Sequence, residues 1–512
     1  MTYQNPVIKG TAPDPSAVRV GEDYYLASST FDLLPGITIR HSTDLVTWRI
    51  VGHAVSRPAQ YRRDGEPGPV VLFAPTLRHH DGVFYLACTN AVGGQGNFVL
   101  RTTDVTGEWS DALWIDSDGF DPSLFRDDDG TWYYTRRNLQ FRPDGNLGPI
   151  VQATIDLATG VLGEMRDITP PHGFASNDIE GPHLFARDGW YYLSSAEGGS
   201  WAGHMQTIAR SRSPWGPFEA APTTPWLTHR HLVANRVQNL GHAELVEATD
   251  GSWWALALGT RHPRMARHHN LGRETFLTPV RWVDGWPVAG ERGDGTTSLV
   301  VDADPPVRGR GIDHVVADTL WTRGWKTIGA APARLDPLDT DARIELPCGP
   351  DPRTRPVGAC GALLRAQTED DQRFSATVAN VPAGAVAGIA AFTDASHVAS
   401  LTVEKVDGGR VAVLTRTVDD VTSRTHVPLP AAGEVGLRID GHETSYAFVA
   451  VTDGSETVVG HCSARLLSAE TAQWFVGVHW ALLAVGDDGS TTFADVQITD
   501  LAPGAPASPV PF

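Results

Sequence analysis

The stretch Gly119-Phe120-Asp121-Pro122-Ser123-Leu124-Phe125 decides the fold, because it leads through a turn at Asp129-Gly130 into a second strand that starts with Trp132-Tyr133. An Asp-Gly pair between two apolar runs predicts a β-hairpin, since the tight turn needs residues that tolerate a positive φ. The stretch therefore predicts two paired strands, the first of which begins at a polar residue beside proline.

This motif of a residue beside or at proline, a strand, a turn and a second strand is called the cassette here. It recurs along the first 290 residues. Its copies begin at Asp14-Pro15, Pro75-Thr76, Asp121-Pro122, Glu180-Gly181-Pro182 and His242-Ala243, and their turn glycines are Gly21, Gly82, Gly130, Gly189 and Gly251. Successive turns are 48 to 62 residues apart, which leaves room for a four-stranded sheet in each interval. A repeat of one supersecondary unit at such a period indicates a radial array, here a five-bladed β-propeller. The 40–45-residue period and the GH…WD marks of WD40 propellers are absent.

The second half of the chain follows a different all-β pattern. Residues 291–311 are rich in Gly, Asp, Pro and Arg, as expected of a linker, and apolar or alternating runs between Gly and Asp turns follow, as in Ser445–Val451. These runs predict a β-sandwich. The predicted domains are thus a propeller over 1–290, a linker over 291–311, and a sandwich over 312–512 that ends in an extended, Pro- and Ala-rich tail.

Composition and charge exclude several classes of protein. The 512 residues carry a formal net charge of −19 with scattered basic residues, which argues against a nucleic-acid partner. The N-terminus lacks the features of a secretory signal and no apolar run is long enough for a membrane span, so the sequence predicts a cytoplasmic protein without a membrane partner. The four cysteines are too scattered for a disulfide framework and are predicted to be reduced thiols.

In a propeller, the first residue of each cassette, called its entry, is expected to lie near one central cavity. The five entries are Asp14, Pro75, Asp121, Glu180 and His242. Clustered carboxylates either bind a hard cation through oxygen or act as a general acid and a general base with separated pKa values. Inverting glycoside hydrolysis fits the second alternative, because it needs two carboxyl groups about 6.5–9.5 Å apart with a water between them. The neighbouring acids Asp127, Asp128 and Asp129 are interpreted as turn residues.

Several motifs in order resemble glycoside hydrolase family 43. They are Asn5-Pro6, Ala12-Pro13-Asp14-Pro15-Ser16, Ala74-Pro75, Gly119–Phe125, Ile179-Glu180-Gly181-Pro182-His183-Leu184, Ala196-Glu197-Gly198-Gly199, Ala209–Pro217 and Leu271-Gly272-Arg273-Glu274-Thr275. The C-terminal half also resembles the β-sandwich appended to the family's β-xylosidase-like members. The resemblance implies an inverting enzyme that acts on plant pentosans, similar to the β-D-xylosidase and α-L-arabinofuranosidase branches.

The resemblance also implies roles for individual residues. Asp14 matches the general base, Glu180 the general acid, and Asp121 the third acid, which orients the general acid and tunes its pKa. Arg273 matches the arginine that hydrogen-bonds the terminal sugar. Phe31 and Phe73 match aromatic residues that line the family's sugar pocket. Trp474 and Phe475 lie in a segment that resembles the one whose aromatic residue reaches the pocket from the sandwich.

His242 matches the axial histidine near which some family members hold a calcium ion or water. A structural or activating Ca²⁺ near His242, bound through waters, is therefore allowed, and no cofactor is otherwise required. The histidines His229, His231, His262, His268 and His269 lack the spacing of zinc ligands and are predicted to be solvent-exposed loop residues.

Two departures from the family pattern concern recognition of the leaving group. Phe73 stands where the β-xylosidase branch usually has Trp, and the stretch from Arg136 to Gln140 lacks a common Trp-Asp pair. The sequence predicts an exo-glycosidase that removes terminal β-D-xylose or α-L-arabinofuranose from small oligosaccharides. The alternatives are an endo-α-1,5-L-arabinanase and a non-catalytic carbohydrate-binding propeller, and a homo-oligomer is left open.

Overall fold

The computed structural model describes residues 2–139, 148–170, 178–263, 266–293, 295–329, 335–336, 338–354, 359–407 and 409–502. Within these ranges nearly all regular structure is β-strand. The predicted C-terminal tail lies outside the described residues from 503 onwards, as does Gln140. No helix of the described residues has the length and apolar composition needed to cross a bilayer.

Five four-stranded antiparallel sheets, the blades of a propeller, form the first half of the chain. Each blade joins its strands in chain order, with β3 (Leu33–Leu34) and the short 3₁₀ helix η1 (Pro58–Gln60) outside the blades. The strands are β1 (Ser16–Val20), β2 (Asp23–Ser28), β4 (Gly36–Ser42) and β5 (Arg49–Val55) in blade 1; β6 (Thr76–His80), β7 (Val83–Asn90), β8 (Gly96–Thr102) and β9 (Leu113–Asp116) in blade 2; β10 (Phe120–Arg126), β11 (Trp132–Arg137), β12 (Ile150–Thr154) and β13 (Arg166–Asp167) in blade 3; β14 (Glu180–Arg187), β15 (Trp190–Glu197), β16 (Met205–Ser211) and β17 (Glu219–Ala220) in blade 4; β18 (Val237–Glu247), β19 (Trp253–Arg261), β20 (Glu274–Val283) and β21 (Trp286–Ala289) in blade 5.

The predicted hairpin turns have the expected backbone conformation. All five turn glycines have positive φ, and in blades 2 and 4 the preceding Asp81 and Asp188 also have φ of 50°. Two successive residues with positive φ match the right-handed twist of the flanking strands. The first strands surround one axis, since β1 contacts β6 and β18, and β10 contacts β6 and β14. The predicted five-bladed propeller is therefore confirmed.

The N-terminal segment closes the propeller. The Ala12 N–H donates to the Arg273 carbonyl oxygen at 2.9 Å, and Ile8 forms an antiparallel bridge with Thr275 in β20. These contacts join residues ahead of blade 1 to blade 5. Asp14 and Arg273 are thereby brought to the same end of the axis.

Two six-stranded sheets form the predicted sandwich. Their inner faces share one apolar core, to which Phe374 and Ile439 contribute from one sheet and Ile389 and Leu401 from the other. In sheet order, the strands are β23 (Arg343–Pro347), β34 (Ser490–Asp500), β25 (Gln372–Val378), β30 (Val435–Gly441), β31 (Ser445–Thr452) and β32 (Ser455–Ser463), and, in the second sheet, β24 (Ala362–Ala366), β33 (His479–Val485), β26 (Val386–Asp394), β27 (His397–Val406), β28 (Gly409–Val418) and β29 (Val421–Leu429). The 3₁₀ helices η2 (Pro352–Thr354) and η3 (Ala464–Leu467) and the helix α1 (Ala469–Ala472) lie in its connections.

The segment between the two halves runs along the propeller. Gly309 N–H donates to the Thr43 carbonyl oxygen at 2.9 Å, and β22 (Thr327–Ile328) pairs with β3. These contacts hold the sandwich against blade 1. The domain limits at residues 290 and 312 stay predictions. All four cysteines have free thiols, as predicted: Cys88, Cys348, Cys360 and Cys462.

Candidate active site

A small cavity of about 90 Å³ lies at the end of the propeller axis where the inner strands begin. Eight of the nine side chains predicted to belong to the site line this cavity: Asp14, Phe31, Phe73, Asp121, Glu180, His242, Arg273 and Phe475. Ala74, Phe120, Ser200 and His204 complete the lining. The fold therefore brings together residues from all five blades and from the sandwich.

The strand register shows which blade positions are equivalent. The first regular pairs involve Ser16, Thr76, Ser123, His183 and Glu244. Two residues ahead of each lie Asp14, Ala74, Asp121, Gly181 and His242. The predicted entries are therefore wrong by one residue in two blades. The equivalent positions are Ala74 instead of Pro75 and Gly181 instead of Glu180.

A glycine stands at the equivalent position of blade 4 because there is no room for a side chain. Gly181 has φ of +55°, and a Cβ atom there would lie 2.7 Å from His242 Nε2. The same left-handed conformation occurs at Asp14, Asp121 and His242, with φ of 53°, 55° and 46°. Non-glycine residues with such φ values carry strain, and they concentrate at functional sites.

The carboxylate of Asp14 is surrounded by donors. Ser29 Oγ donates to Asp14 Oδ2 at 2.5 Å, while Arg273 Nη1 and His242 Nδ1 lie 3.7 and 3.6 Å from Asp14 Oδ1. The Asp14 side chain is only 6% exposed. Ser29 therefore fixes the orientation of the carboxylate, and Arg273 and His242 face its other oxygen.

Asp121 is a buried acid and Glu180 a half-buried one, and the charge of Glu180 acts on Asp121. Burial raises the pKa of Asp121, the charges of Glu180 and Asp14 raise it further, and His242 and Arg137 oppose them. Burial also raises the pKa of Glu180, against the charges of Arg137 and His242. The pKa of each acid is thus raised, so each retains a proton to a higher pH than a free carboxyl group would.

Asp121 is also linked to Glu180 through the backbone. The Gly181 N–H donates to Asp121 Oδ2 at 3.0 Å. Because Gly181 follows Glu180 directly, this bond fixes the peptide from which the Glu180 side chain projects. Asp121 can thus position Glu180 as well as influence its protonation.

Arg137 forms the wall beside Glu180. Its Nη1 donates to Glu180 Oε2 at 2.9 Å, its Nη2 lies 3.4 Å from Asp178 Oδ1, and its guanidinium lies over the Phe120 ring at 4.8 Å. Sequence reasoning noted only that this stretch departs from the family pattern. Blade packing, which no local motif reveals, brings Arg137 to Glu180.

An aromatic wall with Arg273 closes the cavity on the side of the sandwich. Phe31 and Phe475 stack with ring centroids 5.6 Å apart, and Phe73 meets both rings edge-on. The Arg273 guanidinium lies 5.0 Å from the Phe475 ring, and its Nε donates to the Phe475 carbonyl oxygen at 3.4 Å. Apolar rings beside a guanidinium fork suit a sugar, which presents both C–H faces and hydroxyl groups.

Trp474 takes a different place from Phe475. Its ring contacts Phe31 at a centroid distance of 6.2 Å, but the Trp474 side chain lines a neighbouring cavity of about 460 Å³ between the two halves of the molecule. Only Phe475 of this pair lines the cavity with the three acids.

His204 is a pocket residue that sequence reasoning missed. Its Nδ1 lies 2.9 Å from the Asn239 carbonyl oxygen, so it carries the proton, and its buried Nε2 has no partner among the described atoms. Ser200, half-buried, lines the same cavity. Ser200 directly follows the Ala196–Gly199 motif, and this position could have predicted its place in the pocket. No motif lies next to His204.

A polar ring below the cavity joins the five inner strands. Glu244 Oε1 lies 2.6 Å from Arg78 Nη1, and Glu244 Oε2 accepts from Ser16 Oγ at 2.6 Å. Arg78 Nη2 also lies 3.2 Å from His183 Nδ1, and Ser123 Oγ lies 3.5 Å from that atom. Burial raises the pKa of Glu244, but Arg78, His183 and these hydrogen bonds outweigh it and leave the pKa lowered.

His242 has few free oxygen ligands around it. The carboxylate of Asp14, 3.6 Å away, is held by Ser29; that of Glu180 accepts from Arg137, and that of Asp121 accepts from the Gly181 N–H. Calcium takes six to eight oxygen ligands, so these residues do not form a protein cage for it. A Ca²⁺ near His242 would depend on water for most of its ligands, and it stays a prediction.

The loop histidines are less exposed than predicted. His229 and His269 are buried, His262 and His268 are half-buried, and only His231 is exposed. His262 and His269 meet Glu470 in a group that could hold a metal ion. The prediction that these histidines are solvent-exposed is therefore wrong for four of the five, because the sandwich covers the loop that carries three of them.

Comparison with known proteins gives two matches to family profiles. The profile described as "Glycosyl hydrolases family 43" matches residues 3–287, which include every predicted site residue except Trp474 and Phe475. The profile described as "Beta xylosidase C-terminal Concanavalin A-like domain" matches residues 348–501, which include Phe475. The propeller residues that line the cavity and Phe475 of the sandwich thus lie in regions that the two profiles match.

Curated and solved relatives agree with these profiles. A non-reducing end α-L-arabinofuranosidase of Bacteroides ovatus is 36% identical over 96% of this chain and 93% of its own length. A xylosidase/arabinosidase of Butyrivibrio fibrisolvens is 40% identical over 59% of each chain. The crystal structure of a xylan β-1,4-xylosidase from Bacillus halodurans superposes with a TM-score of 0.85 at 28% identity, over 97% of this chain and all of the other.

Proposed function

Because the chain belongs to glycosyl hydrolase family 43, we propose that it removes one terminal pentose from the non-reducing end of small oligosaccharides by inverting hydrolysis. The chain is a glycoside hydrolase of the β-xylosidase and α-L-arabinofuranosidase type. The observation that carries the proposal is the meeting of three carboxylates with Arg273 and Phe475 in one compact cavity.

The proposed reaction uses Asp14 and Glu180 on opposite sides of the sugar. Asp14 takes a proton from a water molecule whose oxygen attacks the anomeric carbon. Glu180 gives its proton to the glycosidic oxygen as the bond between that oxygen and the anomeric carbon breaks. The sugar leaves with inverted configuration, and no covalent glycosyl-enzyme forms.

The surroundings of each acid support these roles. Ser29 donates to Asp14 and Arg273 lies 3.7 Å from it, so the carboxylate is held in place to accept a proton from water. Burial raises the pKa of Glu180, as a general acid requires. Asp121 holds the Gly181 N–H and adds negative charge, so its proposed role is to position Glu180 and to keep a proton in the pair.

The shape of the cavity supports exo action. A space of about 90 Å³, closed on one side by Phe475 of the sandwich, favours one terminal sugar over an extended chain. An endo-arabinanase would need an open groove to hold sugars on both sides of the cleaved bond. The aromatic wall and Arg273 would bind the terminal pentose, and the leaving group would extend past Glu180.

The relative aligned over nearly its full length supports α-L-arabinofuranosides as the first substrates to test, and β-D-xylosides come second. The experiment is initial-rate measurement on p-nitrophenyl α-L-arabinofuranoside and p-nitrophenyl β-D-xylopyranoside, with Asp14→Ala and Glu180→Ala beside the wild type. Proton NMR of the first-formed sugar reports the anomeric configuration.

We expect turnover of at least one glycoside, an inverted product, a loss of about 10²–10⁴-fold or more in Asp14→Ala, and a smaller but clear loss in Glu180→Ala, because p-nitrophenolate needs little protonation to leave. Release of longer oligosaccharides alone would instead indicate the endo-acting alternative. Binding of xylo- or arabino-oligosaccharides without any release would indicate a carbohydrate-binding propeller. Retained configuration, or near wild-type rates in either variant, would contradict the proposed roles.

A further inference from the structure

A second cluster of ligand-forming side chains lies at the contact between propeller and sandwich. His262 and His269 come from the connection between β19 and β20, and Glu470 comes from α1 of the sandwich. One ligand atom of each residue lies within 4.8 Å of the other two, and no other group of this kind occurs among the described residues. The cluster is separate from the cavity that holds the three acids.

The carboxylate of Glu470 binds His269 and lies close to His262. Glu470 Oε1 lies 2.7 Å from His269 Nδ1 and 3.9 Å from His262 Nε2, and Oε2 accepts from the His269 backbone N–H at 2.9 Å. The imidazole rings stack with centroids 5.6 Å apart and 20° between their planes. Both rings are thus oriented before any ion binds.

Burial makes the cluster a built site. The His269 side chain is 2% exposed and that of His262 is 12% exposed. A cavity of about 420 Å³ adjoins the cluster, lined by His262, Glu470, Asn235 and Arg236 among others. This cavity offers an entry path for an ion and space for a water ligand.

The donor set selects a class of metal. Two imidazole nitrogens and one carboxylate oxygen suit Zn²⁺, whereas Ca²⁺ and Mg²⁺ prefer sets of oxygen ligands. Bonds of about 2.0–2.2 Å in a tetrahedron place ligand atoms about 3.3–3.5 Å apart. The present separations of 2.7 and 3.9 Å from Glu470 Oε1 lie on either side of that value, and the ligand atoms of the two histidines lie within 4.8 Å of each other, so binding requires the three side chains to adjust around the ion.

We propose that His262, His269 and Glu470 bind one Zn²⁺ ion, with water as the fourth ligand, and thereby join the propeller to the sandwich. The ion replaces the proton between His269 Nδ1 and Glu470 Oε1. It also competes with the Thr260 hydroxyl, which lies 3.0 Å from His262 Nε2 and has a second partner in the Asn239 side chain at 3.0 Å.

The position of the ion links it to the wall of the sugar cavity. The helix that carries Glu470 ends at Ala472, and the Trp474 N–H donates to the Ala469 carbonyl oxygen at 3.3 Å. Phe475 follows and stacks on Phe31. An ion that ties Glu470 to the 262–269 loop therefore steadies the segment that supplies Phe475.

The test measures zinc bound to the full chain without any substrate. The protein is treated with a chelator, dialysed against ZnCl₂ and then against metal-free buffer, and its zinc content and melting temperature are determined. The variants are Glu470→Gln and His262→Gln, and His268→Gln is the matched control because His268 lies in the same loop outside the cluster.

We expect about one zinc ion per wild-type chain and a higher melting temperature with zinc than without it. Both should be lost in Glu470→Gln and His262→Gln and kept in His268→Gln. A wild type that retains no zinc, or variants that retain as much as the wild type, would overturn the proposal.

A second measurement covers the case in which a variant does not fold. Co²⁺ is added to chelator-treated wild type, and its visible spectrum is recorded. Intense ligand-field bands of a four-coordinate ion are expected, and Zn²⁺ should displace them. The weak spectrum of hydrated six-coordinate Co²⁺ alone would contradict the site, whatever the variants do.

Discussion

Arg137 Nη1 donates a hydrogen bond to Glu180 Oε2 at 2.9 Å, and the two side chains are 4% and 15% exposed. A guanidinium beside the proposed general acid favours its ionised form, because the positive charge stabilises the carboxylate. Burial acts in the opposite direction and raises the pKa of Glu180. The protonation of Glu180 is therefore set by a balance between desolvation and Arg137.

Replacing Arg137 should shift the pH dependence of the enzyme. Arg137→Met removes the opposing charge, so the pKa of Glu180 should rise, and the alkaline limb of kcat/KM should move upwards by about one pH unit. The pH profile on the preferred pentoside measures this shift. Arg136→Gln is the matched control, since Arg136 pairs with Asp116; an equal shift in both variants would contradict the specific role of Arg137.

The proposed general acid should matter most for poor leaving groups. p-Nitrophenolate leaves with little protonation, whereas a sugar alkoxide needs the proton from Glu180. Glu180→Gln should therefore lose about 10²–10⁴-fold in kcat on a pentose disaccharide and clearly less on the p-nitrophenyl glycoside. In Asp14→Asn, by contrast, the loss should be similar on both substrates. Equal losses on both substrates in Glu180→Gln would argue against general-acid catalysis by this residue.

Gly181 offers a test of the crowding at the axis. Gly181→Ala places a Cβ atom 2.7 Å from His242 Nε2 in addition to the left-handed strain at φ of +55°. Gly21→Ala carries similar strain at φ of +63° with nothing within 4 Å of the new atom. Both should lose about 1–2 kcal/mol of unfolding free energy from strain, but only Gly181→Ala should also lose most of its kcat. Full activity in Gly181→Ala would contradict this packing.

The two aromatic residues from the sandwich should differ in effect. Phe475 lines the cavity and stacks on Phe31, whereas Trp474 lines the neighbouring cavity. Phe475→Ala should raise KM for the preferred pentoside by about two- to tenfold, and Trp474→Ala should raise it less. Steady-state kinetics of the two variants measure the difference, and a larger effect of Trp474→Ala would reverse the assignment.

Glu244 should contribute stability rather than chemistry. Glu244→Gln leaves Arg78, whose side chain is only 14% exposed, without its charged partner, which should cost about 3–5 kcal/mol of unfolding free energy. Since the pKa of Glu244 is lowered in the folded protein, its stabilising effect is present above the ordinary carboxyl range and is lost as the pH falls through the lowered value. Urea unfolding at neutral and acidic pH measures both effects.

The exposed pair between Arg281 and Glu291 provides the control for this measurement. Glu291→Gln should cost less than about 1 kcal/mol, because both side chains are more than half exposed. A cost for Glu244→Gln as small as that of the control would show that the polar ring does not hold the inner strands together.

Much of the fold and of the site could be predicted from local sequence. The Asp-Gly turns need positive φ, and each turn marked one hairpin of a blade. The acids beside those hairpins could be predicted to meet, because a radial repeat places equivalent positions around one axis. In blade 4 the equivalent position is Gly181, and Glu180 precedes it by one residue. The sequence indicated Glu180 instead, because a glycine has no side chain by which a site residue could be recognised.

Other features depended on segments far apart in the chain. The pairing of Arg137 with Glu180 comes from the packing of blade 3 against blade 4, and the contact of His204 Nδ1 with the Asn239 carbonyl oxygen comes from the packing of blade 4 against blade 5. His269 and Glu470 are 201 residues apart, and only the docking of the sandwich brings them together. Neither segment has a sequence pattern that predicts this contact.

The sequence by itself determined the blades, the sandwich and the three acids, because turn chemistry and strand alternation are local properties of the chain. The tertiary structure alone decided which side chains surround each acid, which aromatic residue closes the cavity, and where two histidines meet a carboxylate. Those outcomes follow from burial and close packing between distant elements, and desolvation and neighbouring charge then set the chemistry of each group.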